Sequence, residues 1–155
     1  MSLEAIFPKE TIIVNLESTE KDELFEELVE IIHNAVPEMN RKEALDCLLE
    51  RESKMTTGIM HNVAIPHALI PSMSKTVGAI GISSEGIDYD SLDKAPVYLI
   101  FMLIGAQGET EQHIQVLKQL AGVLQLPDFV GRMRQCSSPS EVHNLLRNSE
   151  ELLAE

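Results

Sequence analysis

The sequence has no tryptophan and few aromatic residues, only 4% in total. It therefore lacks the aromatic platforms on which proteins stack single-stranded nucleic acid. Basic residues are also scarce, because 12 Lys and Arg stand against 25 Asp and Glu, for a formal net charge of −13. Proteins that bind nucleic-acid phosphates or anionic lipid surfaces need the opposite balance. The composition thus argues against a nucleic-acid partner and against attachment to a membrane surface.

The chain also lacks the spacing of a metal or disulfide site. Its two cysteines, Cys47 and Cys136, form no CxxC or Cys/His pattern, which predicts reduced thiols and no metal. The longest apolar stretch, Val97 to Ile104, is far shorter than a membrane span. The first residues do not resemble a signal peptide. We therefore expect a cytoplasmic protein with no membrane insertion, forming a single domain over residues 1–155.

The apolar pattern predicts strands that alternate with helices. Strands are expected at 11–16, 63–65, 76–83 and 96–104, with loops at 52–62 and 84–92. Helices are expected from a cap at Ser18 or Thr19 to Ala35, from Asn40 to Arg51, from Thr110 to Leu124, after Pro127 and after Ser138. The near-continuous apolar run at 96–104 is typical of a central strand covered on both faces. The sequence thus predicts an α/β fold, with one mixed sheet of about five strands flanked by helices.

Two of the five histidines lie where chemistry is expected. His67 follows Pro66, which has no N–H for a strand ladder, so the imidazole is expected at a rigid strand end beside the sheet edge. His113 is expected at the third position of the helix capped by Thr110. There the helix N-terminus favours a neutral ring, and the free amides can bind an anion. Each also has an ordinary interpretation, as a turn residue or a packing residue. His33 and His143 are interpreted as structural or solvated.

An arginine and a hydroxyl-rich loop precede His67. Arg51, near the end of the second helix, can hold a phosphate dianion in a forked geometry, or it can be a solvated charge. Thr56, Thr57 and Gly58 form a loop that can donate hydrogen bonds to the same anion, or be a plain turn.

The run from Arg51 to Ala68, RESKMTTGIMHNVAIPHA, resembles a known active-site signature. The mannitol/fructose-type enzyme IIA domains of the bacterial phosphotransferase system, including the nitrogen-regulatory proteins, carry approximately RE…STGI…(V/I)A(I/V)PH. The run from Glu111 to Ala121 resembles their second histidine-bearing helix, and by element order the resemblance extends over roughly Thr11 to Leu146. The chain departs from the pattern at Met60-His61-Asn62, where the family usually has small or glycine-containing residues. Thr56 replaces the more usual Ser.

The resemblance implies a phosphotransferase component that forms a phosphohistidine at His67. It implies catalytic roles for His67, His113 and Arg51, phosphate binding by Thr56, Thr57 and Gly58, and no cofactor. The implied donor is a histidine-containing phosphocarrier protein, and the acceptor is an enzyme IIB domain or a regulatory target. Because no IIB or membrane IIC segment lies within these residues, we expect a regulator of the nitrogen-regulatory type rather than a transport subunit.

The acidic chain also needs local positive potential to accept a phosphoryl group. Arg51, Lys54 and Lys75 are the cations nearest the signature in sequence, and we expect some of them to surround His67.

Other functions receive weaker support from the sequence. A metal enzyme using His61, His67 and His113 lacks the i, i+4 spacing of zinc-binding helices. The glycines near residues 78–86 form no nucleotide-binding motif. The departure at Met60 motivates the other alternative, an interaction module of the same fold that is not phosphorylated.

Overall fold

A computed structural model describes residues 2–154 of the chain. The six strands are β1 (Ile12–Ile13), β2 (Gly58–Met60), β3 (Val63–Ala64), β4 (His67–Ile70), β5 (Val77–Ile87) and β6 (Val97–Ala106). The helices are α1 (Leu3–Ile6), α2 (Lys21–Ala35), α3 (Arg41–Lys54), α4 (Thr110–Leu124), α5 (Phe129–Arg134) and α6 (Pro139–Ala154), with a 3₁₀ turn at Lys9–Thr11.

The strands form one mixed sheet in the order β1-β5-β6-β3-β2, and β4 also pairs with β6. β5 and β6 are antiparallel, whereas β1 runs parallel to β5, and β3 and β4 run parallel to β6. β6 is buried along nearly its whole length between two neighbours, which confirms the central strand expected from its apolar run. The predicted α/β fold with a mixed sheet is therefore confirmed.

Helices cover both faces of the sheet. Along β6, Leu99, Phe101 and Leu103 pack into one cluster with α1, α4, α5 and α6. The alternate residues of β6 pack on the other face with α2 and α3. This alternation follows the two-residue period of a strand and explains why β6 carries no polar face. Within residues 2–154, no helix is long and apolar enough to cross a lipid bilayer.

The helix caps match the predictions in some places and not in others. Asn40 accepts a hydrogen bond from the Glu43 amide at 3.0 Å, which confirms the cap of α3. Ser138 accepts one from the Glu141 amide at 3.2 Å, as expected for α6. The predicted cap of α2 is wrong, because Glu20 occupies that position. The Ser18 hydroxyl instead donates to the Glu27 carboxylate at 2.6 Å, which holds it outside the helix.

The start of α4 also differs from the prediction. Thr110 is the first residue of the helix and Glu109 is its N-cap, without a side-chain cap hydrogen bond. His113 is therefore the fourth helical residue rather than the third, and its amide donates to the Glu109 carbonyl at 3.1 Å. The imidazole still lies in the first turn, where the partial positive charge of the helix is concentrated.

Several predicted boundaries of strands and loops differ from the structure. β1 has only two residues, because the 3₁₀ turn includes Thr11 and residues 14–16 lie beyond the strand. β5 continues beyond Ser83 to Ile87. The expected loop at 52–62 contains the last turn of α3 and all of β2. β2 returns to β3 through His61 (φ 57°) and Asn62 (φ 65°), a two-residue turn whose left-handed backbone suits the twist of a hairpin.

The expected end of pairing at Pro66 is also wrong, because the pairing resumes at His67. Val63 is opposite Leu99 and His67 is opposite Leu103, so β3 and β4 keep the same offset along β6. They are one strand in register, interrupted only at Ile65 and Pro66. The proline cannot donate to the ladder, but its carbonyl accepts from the Leu103 amide at 2.9 Å and so maintains the pairing.

Candidate active site

A cavity of about 300 Å³ contains both candidate histidines. It lies along β4, between the end of α3 and the start of α4, and its lining residues are Cys47, Glu50, Arg51, Lys54, His67, Ala68, Leu69 and His113. β2 pairs with β3 alone, so β4 forms an open sheet edge at this place. The structure thus brings together the two histidines and the arginine that the sequence analysis selected.

His67 has a defined tautomer. Its Nδ1 lies 2.7 Å from the carbonyl oxygen of Ile65, and because a carbonyl can only accept, Nδ1 carries the proton. The lone pair of the neutral ring is therefore on Nε2. Burial lowers the pKa of His67, and the nearby charge of Arg51 lowers it further, against the raising effects of the Ile65 hydrogen bond and of Glu52. The ring is therefore neutral and nucleophilic at pH 7.

His113 faces His67, with ring centroids 5.5 Å apart and the planes inclined at 49°. Its side chain is buried, and neither ring nitrogen has a hydrogen-bond partner within the described part of the chain. Burial, followed by the neighbouring His67, lowers the pKa of His113 to about 4, so this ring is also neutral at pH 7.

Gly105 of β6 lets the His113 ring lie close to the sheet. A Cβ at Gly105 would be 3.1 Å from His113 Nδ1 and 2.9 Å from a Leu69 methyl. The same point is 3.2 Å from Thr76 Oγ1, a second buried polar atom without a partner among residues 2–154. The surroundings of His113 are thus unusually poor in hydrogen bonds.

The cavity has a cationic wall formed by the last turn of α3. Arg51 and Lys54 both line it, and Arg51 Nη1 also donates to the Met55 carbonyl at 2.9 Å. Cations are favoured at a helix C-terminus, which explains why α3 ends in this way. Lys75, the third cation expected near His67, is not among the lining residues.

The hydroxyl-rich loop lies outside the lining of this cavity. Thr56 Oγ1 accepts from the Gly58 amide at 3.1 Å, which leaves its own proton free to donate. The Thr57 hydroxyl is buried and donates to Glu52 Oε1 at 2.6 Å. A Cβ at Gly58 would be 2.7 Å from Tyr89 Cδ1, so only glycine fits there. Phosphate binding by Thr56, Thr57 and Gly58 stays a prediction.

The buried carboxylate of Glu52, next to Arg51, was not predicted from the sequence. Glu52 follows Ala44 and Leu48 at intervals of four, so it lies on the buried face of α3. An acid at an apolar position of a helix is the signal that could have identified it. Burial raises the pKa of Glu52, but hydrogen bonds from Thr57 and Lys21 together lower it below its ordinary value.

The remaining histidines lie elsewhere. His61 lines a larger groove of about 690 Å³ between the β2–β3 hairpin and α4–α5, away from the His113 cavity. His33 and His143 each donate a ring N–H to a backbone carbonyl, at 2.8 and 2.9 Å, in agreement with their structural interpretation. The side chain of Met60 lies outside the described residues. Among residues 2–154, no group of three or more His, Cys, Asp or Glu side chains is placed to hold a metal ion.

Comparison with known proteins identifies the family. The model of the phosphoenolpyruvate-dependent sugar phosphotransferase system, EIIA 2, matches residues 5–149. The fructose-specific EIIA component of Haloferax volcanii is 33% identical over 144 residues, which cover 93% of this chain and 94% of that protein. The fructose-specific EIIABC component of Bacillus subtilis is 30% identical over 150 residues, which cover 97% of this chain but only 24% of the longer relative.

Solved structures agree with this assignment. The nitrogen regulatory protein IIA-Ntr of Neisseria meningitidis superposes with a TM-score of 0.85 at 30% identity, covering 93% of this chain and 98% of that one. The complex of mannitol enzyme IIA with phosphorylated IIB from Escherichia coli matches with a TM-score of 0.77 at 20% identity, covering 92% of this chain and 97% of that one, and at this identity it supports the fold alone. The family resemblance noted in the sequence is confirmed: the chain belongs to the EIIA 2 family of the phosphoenolpyruvate-dependent sugar phosphotransferase system.

Proposed function

We propose that this chain is a phosphoryl carrier that accepts its phosphoryl group on Nε2 of His67. The observation that carries the proposal is the hydrogen bond from His67 Nδ1 to the Ile65 carbonyl, which places the lone pair on Nε2. The Nε2–P bond forms as the N–P bond of the donor phosphohistidine breaks, and the electron pair of that bond returns to the donor nitrogen. Since Nε2 carries no proton, none has to leave during the transfer.

The surrounding groups supply alignment and charge, which are most of what a protein contributes to phosphoryl transfer. Arg51 and Lys54 offset the charge of the arriving phosphoryl group from the α3 side of the cavity. His113 donates one ring N–H to a phosphoryl oxygen, and the N-terminus of α4 adds its partial positive charge. Thr56 can add a hydroxyl hydrogen bond from the loop.

We propose that the donor is a histidine-containing phosphocarrier protein and that the acceptor is an enzyme IIB domain or a regulatory target. Of the two, we favour a cytoplasmic regulator of the nitrogen-regulatory type, acting as one IIA domain. This choice is supported by the likeness to IIA-Ntr of Neisseria meningitidis, which is 30% identical and superposes with a TM-score of 0.85. The fructose-specific EIIA component of Haloferax volcanii is 33% identical, so transport is tested beside regulation.

Incubation with phosphoenolpyruvate, enzyme I and the histidine-containing phosphocarrier protein tests the transfer. We expect one acid-labile phosphoryl group, mapped by mass spectrometry to His67 and absent from His67→Gln. His33→Gln, a half-buried histidine outside the cavity, is the matched control and should be labelled like the wild type. Labelling of His67→Gln would show that another residue is the acceptor. A wild type that takes up no phosphate would favour the interaction module instead.

A second reaction separates transport from regulation. A purified fructose-type IIB domain is added to the phosphorylated protein, and the label on each protein is followed with time. We expect the label to stay on this chain and to decay only by hydrolysis. Rapid transfer to the IIB domain would identify a transport subunit.

A further inference from the structure

The buried carboxylate of Glu52 has no part in the transfer described above. It nevertheless accepts hydrogen bonds from the Thr57 hydroxyl (2.6 Å), the Thr57 amide (2.8 Å), Lys21 Nζ (3.1 Å) and the Tyr89 hydroxyl (3.3 Å). Its side chain is only 5% exposed. A carboxylate held by this many donors keeps its charge in spite of burial and has one defined position.

The three partner residues also contact one another. Because the Thr57 proton is donated to Glu52, the Tyr89 hydroxyl donates to Thr57 Oγ1 at 2.7 Å and shares that one proton with Glu52 Oε1 at 3.3 Å. Lys21 Nζ lies 4.5 Å above the Tyr89 ring. These residues come from the start of α2, from the position before β2 and from the segment after β5. Glu52 therefore connects α3 to three separate parts of the chain at one point.

A continuous series of hydrogen bonds leads from this carboxylate to the nucleophile. Glu52 holds the amide and hydroxyl of Thr57, the Thr57 carbonyl accepts from the Ile65 amide at 3.1 Å, and the Ile65 carbonyl accepts from His67 Nδ1 at 2.7 Å. Ile65 lies in the gap between β3 and β4, where Pro66 cannot donate to the ladder. The Ile65 carbonyl is thus held in place by the contact with Thr57 together with the pairing of β3 and β4 with β6 on either side.

We propose that Glu52 is a positioning residue for His67, and that through Thr57 and Ile65 it keeps Nδ1 protonated and Nε2 free to accept. The kinetic part of this inference rests on the proposed function, whereas the tautomer of His67 does not. Tyr89 and Lys21 assist by holding the carboxylate. Arg51 lines the cavity from the last turn of α3. Its neighbour Glu52 lies on the buried face of the same turn and orients the imidazole of His67.

The test compares Glu52→Gln with Glu26→Gln, which removes the same charge from an exposed position of α2. The imidazole nitrogens of His67 are observed by ¹⁵N NMR in the unphosphorylated protein, and the rate of phosphoryl acceptance is measured separately. We expect Glu52→Gln to populate the Nε2–H tautomer and to slow acceptance about tenfold, since misorientation of an acceptor costs rate steeply. Glu26→Gln should match the wild type in both measurements.

Smaller changes keep the test decisive if Glu52→Gln does not fold. Tyr89→Phe removes one hydroxyl but keeps the ring that packs against Phe25, and Thr57→Val removes the hydroxyl contact. Both should shift the tautomer part of the way, and Thr57→Ser should restore it. Folded variants that keep the wild-type ¹⁵N pattern and rate would overturn the positioning role. A wild type that is never phosphorylated would refute the proposed function, while the NMR result would still decide the inference.

Discussion

The two histidines of the cavity lie ring to ring but are held in opposite ways. His67, on a strand, donates Nδ1–H to a carbonyl, whereas His113, on a helix, is buried with neither ring nitrogen bonded within residues 2–154. Leaving a buried polar group unpaired costs about 1 to 3 kcal/mol. In His67 the protonated nitrogen is defined by this hydrogen bond alone. Under the proposed function, His113 gains a partner when a phosphoryl oxygen enters the cavity, so its unmet hydrogen bond would favour the phosphorylated state.

The largest effect is expected from removing this unpaired donor. We predict that His113→Ala slows phosphoryl acceptance by His67 about 100-fold, the usual effect of losing one preorganised hydrogen-bond donor. His113→Gln keeps an N–H donor and should recover part of the rate. The measurement is the rate of label uptake from the phosphorylated carrier protein, with the circular dichroism spectrum as the folding control. A wild-type rate in folded His113→Ala would contradict the role given to this ring.

The pH dependence of stability sharpens the comparison further. Because burial lowers the pKa of His113 from about 6.5 to about 4, the unfolded state binds the proton more tightly. The contribution of His113 to the free energy of unfolding is at its maximum above about pH 6.5, and it falls as the pH is lowered towards 4. Between pH 7 and pH 4.5, we expect the wild type to lose about 2 kcal/mol more than His113→Gln in urea unfolding. An equal loss of unfolding free energy in the two proteins would mean that a hydrogen-bond acceptor already stabilises the protonated His113 ring.

The cationic wall should have a smaller effect that depends on position. We predict that Lys54→Gln lowers the rate of phosphoryl acceptance about threefold, since one exposed charge contributes about 1 kcal/mol or less. Lys75→Gln makes the same charge change outside the cavity lining and should have no effect. The difference should shrink as salt is raised, because exposed charges are screened. Equal effects of the two substitutions would show that only net charge matters.

The smallest effect is expected at Thr76, the other unpaired group near Gly105. Replacing its hydroxyl by a methyl in Thr76→Val removes no hydrogen bond seen in the structure and removes a buried group without a partner, so we expect the free energy of unfolding to rise by up to about 1 kcal/mol. Thr11→Val is the matched control. Its buried hydroxyl donates to the Gly78 carbonyl at 2.7 Å, and its loss should cost about 1 kcal/mol or more. A larger loss at Thr76 than at Thr11 would show a hidden partner.

Much of the fold could be predicted because it follows from short-range chemistry. The Asn40 cap, the Ser138 cap and the all-apolar run of β6 are each visible within a few residues. The hairpin of β2 was missed because its strands are very short, and its turn depends on the left-handed backbone of two non-glycine residues, His61 and Asn62.

The residues of the candidate site could be predicted from the sequence, but the orientation of their side chains and their hydrogen-bond partners could not. The sequence pattern identifies His67 and His113 as candidates, and the structure brings them together with Arg51 in one cavity. The sequence cannot show that the Thr57 hydroxyl points inward to Glu52, because a loop has no regular period that separates buried from exposed side chains. The acceptor for His67 Nδ1 was also hidden, since it is a backbone carbonyl and every residue has one.

β3 and β4 pair with β6 in the same register on either side of Pro66, and this limits insertions and deletions between the two strands. Residues 63, 65 and 67 share a face of the sheet only because the count between them is even. One residue inserted or deleted between Ala64 and His67 would turn the imidazole to the opposite side, away from α4. Apolar substitutions at position 65 other than proline keep both the amide and the carbonyl of this residue, so the length of the segment is under stricter constraint than the identity of this side chain.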